Sequence, residues 1–97
     1  MDYEVKISQS GRGGTIVYFE NAQKLSFDWE FAIDGALLFV PSPLHWNNFC
    51  DRNDFTQAQN RRDEILERVC RDVIRQKTSG AKYEIDDDYI SISFGCL

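Results

Sequence analysis

The sequence predicts an α+β fold in which an antiparallel sheet of about five to six strands packs on one long helix, in the order β-β-β-β, a short helical turn, α, β-β. Three observations carry this expectation. Residues 25–33, LSFDWEFAI, alternate large apolar with small or acidic side chains, the two-residue period of a strand with one face buried. Residues 57–77 repeat their apolar side chains at the 3.6-residue helical period instead. Shorter apolar runs flank both, each closed by a glycine- or aspartate-bearing turn, and strands grouped apart from a helix read as α+β.

Taken in chain order, EVKISQ at 4–9 and TIVYFE at 15–20 form a first hairpin around SGRGG, whose glycines supply the positive φ angles of tight turns. The spacing of Gly11, Gly13 and Gly14 fits neither a dinucleotide fingerprint nor a phosphate loop, since both require a helix where a strand follows. In the third strand Leu25, Phe27, Trp29, Phe31 and Ile33 share one face, and Ser26, Asp28, Glu30 and Ala32 the other. Asp34-Gly35 suits a two-residue type I′ turn. It sets Ile33 opposite Ala36, Phe31 opposite Leu38 and Trp29 opposite Val40, leaving Leu37 and Phe39 with Ala32 and Glu30 on a mixed second face that is covered or meets a partner.

Ser42-Pro43 reads as the cap and first residue of a short helical turn, in which Trp46 and Phe49 plug one end of the core. In the helix expected at 57–77, Ala58, Ile65, Leu66, Val69, Cys70, Val73 and Ile74 form one stripe. Asp54 or Thr56 caps its start, Ser79-Gly80 stop it, and Glu64–Arg68, Glu67–Arg71 and Arg68–Asp72 pair on its outer side. Arg62 falls inside the stripe. A charge there must snorkel past the helix end, lie over Trp29 or Trp46, or meet a carboxylate from the sheet; the functional alternative is an anion-binding arginine in a partly dry pocket. The tail AKYEIDDDYISISF holds two short strands around an acidic turn.

Ninety-seven residues, 42% of them apolar, suit one domain spanning 1–97. No apolar run approaches the roughly 20 residues of a membrane span. MDYEVKI lacks the basic-then-apolar order of a secretory leader. Cys50, Cys70 and Cys96 are odd in number and form no CxxC pair, which argues against a disulfide framework or a zinc site and fits a reducing cytoplasm. Cys96 is next to last, so GCL is not a prenylation box. The net charge is −5, and because residues 57–77 carry six basic against four acidic residues, the remainder stands at −7. That balance repels phosphate backbones and favours a basic partner.

The chemistry-bearing residues do not assemble into a catalytic set. His45 and Cys50 lie in PSPLHWNNFCDRND; five positions apart on a helical turn they point about 140° away from each other. The acidic turn of Glu84, Asp86, Asp87 and Asp88 lacks the glycine and terminal glutamate of a twelve-residue calcium loop. Arg61, Arg68, Arg71 and Arg75 line one helix side but are interleaved with acids. No metal, cofactor or nucleic acid is therefore expected, and the chain reads as a non-enzyme.

A short first strand, an aromatic-rich strand with a glutamate in FDWEF, an isolated tryptophan in PLHWNN and a helix opening RRDEILERV together resemble the plan of small bacterial immunity proteins that accompany polymorphic or contact-dependent toxins. The resemblance covers much of residues 4–75 through single residues at loose spacing, and touches Glu30 and Trp46. It carries over no catalytic residue and implies a cytoplasmic protein that caps a toxin. The leading expectation is a binding module for a basic protein, with Asp28, Glu30, Phe39, Trp46 and Arg62 as candidate binding residues. The alternatives are a small-ligand binder or enzyme with a pocket near Arg62, His45 and Cys50, and a homodimeric structural subunit.

Overall fold

A computed structural model of the chain describes residues 3–77 and 80–94; the expectations for Ser79 and Cys96 fall outside them. Six strands make one antiparallel sheet: β1 (Tyr3–Ser10), β2 (Gly13–Glu20), β3 (Gln23–Ala32), β4 (Gly35–Phe39), β5 (Lys82–Ile85) and β6 (Tyr89–Ser93). Their spatial order is β1-β2-β3-β4-β6-β5, so the last strand in sequence sits between β4 and β5. Two helices, α1 (Pro43–Arg52) and α2 (Arg62–Lys77), cover one face, with a 3₁₀ turn at Thr56–Ala58 between them. The α+β class and the antiparallel sheet stand as expected.

The helices differ from the single long one expected. Asn60 takes φ 64, a left-handed conformation that a right-handed helix cannot run through, so the chain breaks there and α2 begins at Arg62. The Arg61 carbonyl accepts its first bond, from the Ile65 N–H at 3.0 Å, and neither Asp54 nor Thr56 stands at the start. Conversely, the expected short turn is a ten-residue helix, α1, opening where Ser42-Pro43 indicated. Ser42 is extended (φ −67, ψ 165) and Pro43, whose ring presets helical φ, follows in the first turn; the Ser42 hydroxyl makes no capping bond.

The β3–β4 turn also departs from expectation. Ile33 and Asp34 form it, with Asp34 at φ 64, so Ala32 faces Gly35, Phe31 faces Ala36 and Trp29 faces Leu38. The partners slip by two residues, and an even slip leaves every side chain on its intended face. Gly35 is needed inside the strand: a Cβ there would overlap the Ile92 carbonyl oxygen of β6.

On the inner face Leu25, Phe27 and Trp29 are buried beneath Ile65, Leu66, Val69, Cys70 and Val73. Burying a side chain such as Phe27 or Leu66 contributes about 1.5–3 kcal/mol, so this contact dominates the stability of the layer pair. Helix α1 adds Trp46 and Phe49, whose rings lie 6.3 Å and 5.7 Å from that of Phe27. Phe31, on the same face, is only partly covered at 38% exposed, and Ile33, expected opposite Ala36 on the core face, lies in the β3–β4 turn instead and is 94% exposed. Asp28 and Glu30 point away from the helices, to the outer face.

Candidate functional site

The outer face of the sheet is built by register. Side chains directly opposite one another in antiparallel strands share a face. One row therefore runs Thr15, Asp28, Phe39, Tyr89, and the next runs Gly13, Glu30, Leu37, Ser91, Glu84. Among the described residues no helix packs on this side. Phe39 is 43% and Tyr89 39% exposed, Asp28, Glu30 and Glu84 are exposed, and Leu37, Val17 and Phe19 are half-buried by their neighbours alone. The result is an apolar and aromatic centre on β4 and β6 with Asp28, Glu30 and Glu84 nearest to it, while Lys6, Lys24 and Lys82 stand toward the rim of the same face. The charge of Asp86 in the β5–β6 turn and its hydrogen bond, then burial and the charge of Glu84, push the Tyr89 phenol above its ordinary range.

Of the five candidate residues, Asp28, Glu30 and Phe39 meet here. Trp46 and Arg62 do not. Trp46 is 1% exposed and donates its indole N–H to the Ala58 carbonyl at 2.9 Å, so it holds the 3₁₀ turn to α1 and cannot reach a partner. Arg62 opens α2, and its guanidinium crosses to the sheet side of the loops. Nε donates to the Pro41 carbonyl at 2.9 Å, and Nη2 to the Asp86 and Asp87 carbonyls at 2.9 and 2.8 Å. Of the alternatives expected for it, the charge lies on neither an aromatic face nor a sheet carboxylate; it reaches past the start of α2, to backbone acceptors in the loops rather than to open solvent. Arg62 ties the β4–α1 linker to the acidic β5–β6 turn.

The pocket expected near Arg62, His45 and Cys50 is not formed by those three. Arg62 lines a shallow cavity of about 350 Å³ with Pro43, Trp46 and Asn47, but His45 is exposed outside it and Cys50 is fully buried. Burial pushes the Cys50 thiol up to about 11, and burial with the charge of Glu67 pushes Cys70 to about 12, so both stay protonated and shielded at neutral pH. Neither is a nucleophile in this state.

Sequence reasoning missed a buried polar cluster. Glu20, 3% exposed at the end of β2, accepts from the Tyr18 hydroxyl at 2.5 Å and from both terminal nitrogens of Arg61 at 3.1 and 3.0 Å. Arg68 joins through the Tyr18 hydroxyl at 2.9 Å and Glu20 at 3.4 Å, and its Nη2 reaches Glu64 at 2.7 Å. Arg61 and Arg68, expected on a solvated face, thus clamp α2 to the sheet. Burial pushes the Glu20 carboxyl up, but hydrogen bonds from Arg61 and Tyr18 with the two guanidinium charges outweigh it and leave the group below its ordinary value. Burial and the Glu20 hydrogen bond raise Tyr18 to about 12. The signal was present: the inward alternation Ile16, Tyr18 places Glu20 on the core side. Asp72, expected to pair with Arg68, bonds Arg75.

Compared with family models, curated proteins and solved structures, the chain matches none. Among the described residues no group of three or more His, Cys, Asp or Glu side chains converges as a metal site, and no helix is long and apolar enough to cross a membrane.

Proposed function

We propose that the chain is a non-catalytic protein-binding module that docks a basic partner on the outer face of its sheet, and that it serves as a cytoplasmic immunity-type inhibitor of a toxin. One observation carries the reading: Phe39 and Tyr89 lie exposed beside Asp28 and within a row of Glu30 and Glu84, on a sheet face that no helix covers. Interface centres favour aromatic side chains, and complementary charge steers encounter and rejects wrong partners. The face is large enough. Strands of 8, 8, 10, 5, 4 and 5 residues, at about 3.3 Å rise and about 4.8 Å spacing, make a flat area of about 630 Å², close to the roughly 800 Å² of accessible surface that each partner gives to an ordinary interface. The same carboxylates disfavour nucleic acid.

Co-production with the product of the adjacent gene tests the proposal. Protection of the host by the wild-type chain, lost on Asp28→Lys with Glu30→Lys, supports it. Lack of binding, or protection that survives the double charge reversal, opposes it. Light scattering over a range of concentrations separates this from a homodimer formed through the same face.

A further inference from the structure

On the opposite side of the sheet, a second site arises from a mismatch in length. Helix α2 is described as far as Lys77, and β1, β2, β3 and β4 carry their inward side chains beyond Val73, its last buried apolar residue among those described. The uncovered end is a cavity of about 330 Å³. Its floor is Ile16, Trp29, Ala36 and Leu38, and Phe31 stands at its exposed edge. This lies at the lower end of the roughly 300–1,000 Å³ of small-molecule sites, which are concave, apolar and marked by few polar groups.

Those polar groups are Gln9 and Lys77. The Gln9 amide N–H is engaged by the Gly11 carbonyl at 3.1 Å. The Lys77 ammonium is exposed and has no hydrogen bond or ion pair to any described residue. An apolar chamber with one cation at its border that no described residue engages selects an amphipathic anion. At the roughly 30 Å³ that a small heavy atom occupies in a liquid, the volume takes about eleven non-hydrogen atoms.

We infer that this cavity binds a medium-chain monocarboxylate of about the size of octanoate, with its tail on Trp29 and Leu38 and its carboxylate at Lys77. The site is independent of the outer docking face, so either can fail alone.

The two tryptophans give the test its internal control. Trp29 lines the cavity and donates its indole N–H to the Ser8 carbonyl at 3.0 Å, whereas Trp46 is buried under α1 and does not line it. Octanoate is titrated into the full chain while both indole N–H resonances are followed by NMR. The expected result is a saturable shift of Trp29 with Trp46 unmoved, weaker binding of octylamine than of octanoate, and a loss of about threefold to fivefold on Lys77→Gln, the scale of one partly exposed ion pair. Ala36→Leu, which fills the floor, abolishes the shift while the melting temperature is retained. No Trp29 shift at millimolar octanoate overturns the site. Equal binding of octanoate and octylamine overturns the anion assignment. A Trp29 shift that follows protein concentration without ligand makes a second copy the occupant and overturns it too.

Discussion

Glu20→Gln isolates the buried cluster, because it keeps the side-chain shape and removes only the charge. Glu20 is 3% exposed and bridges Tyr18, Arg61 and Arg68. Removing one partner from a buried ion pair costs about 3–5 kcal/mol. Here both guanidiniums are about one-fifth exposed and both keep Glu64, so the expected loss is about 2–3 kcal/mol at pH 7. With a urea m-value of about 1.3 kcal/mol/M for a chain this size, that lowers the unfolding midpoint by about 2 M. The effect carries a pH signature. The Glu20 carboxyl is held below its ordinary value in the folded state, so its stabilisation is fully present above the unfolded value and is lost as pH falls through the lowered folded value. Urea unfolding of both proteins at pH 7 and at successively lower pH should therefore show the gap between them shrinking below about pH 4.5. A gap under about 0.5 kcal/mol at neutral pH, or one that stays constant into acid, refutes the clamp.

Further outcomes follow from individual contacts. Trp46→Ala removes a buried indole, its bond to Ala58 and its stacking on Phe27, and should cost about 3–5 kcal/mol in denaturant unfolding. Arg62→Leu removes three hydrogen bonds to backbone carbonyls and should cost about 1–2 kcal/mol, since the Asp86 and Asp87 carbonyls sit in an exposed turn and can regain water; a stabilised variant would show the charge to be a burden. Gly35→Ala places a Cβ on the Ile92 carbonyl and should lower stability by about 1–3 kcal/mol, read as a drop in melting temperature. In a Cys96→Ser background, Cys50 and Cys70 should resist a thiol reagent until denaturant is added; rapid labelling of the native chain contradicts their burial and raised thiol values.

Local periodicity was legible in the residues, and long-range pairing was not. The strict alternation from Leu25 to Trp29 revealed which side chains of β3 face the helices, because a two-residue period leaves no other choice once one face is apolar. The stripe from Ile65 to Val73 was equally plain. Asn60 escaped notice, since only its backbone conformation ends the helix; extending the helix through it hid that Arg62 opens α2, where its largely buried side chain reaches the carbonyls of Pro41, Asp86 and Asp87. Asp34-Gly35 carried a strong local turn signal, but the approach of β6 to Gly35 took precedence, and β6 comes more than fifty residues later. The outer face was readable at Asp28, Glu30 and Phe39. Tyr89 and Glu84 joined it only through the insertion of β6 beside β4, which no nearby residue encodes. Alternation in β2 put Glu20 on the core side, but its arginine partners stand 41 and 48 positions away and no local pattern names them.

The central claim is that the aromatic patch of Phe39 and Tyr89, with Asp28, Glu30 and Glu84 around it, captures a basic protein. The most direct measurement is calorimetric titration of the adjacent gene's product into the wild-type chain and into the Asp28→Lys, Glu30→Lys variant, with melting temperatures recorded for both. These surface changes should shift stability by no more than about 0.5 kcal/mol. Tight wild-type binding that weakens at high salt and disappears in the folded variant is the predicted result. Undiminished binding by the variant would place the partner elsewhere on the molecule and contradict the account.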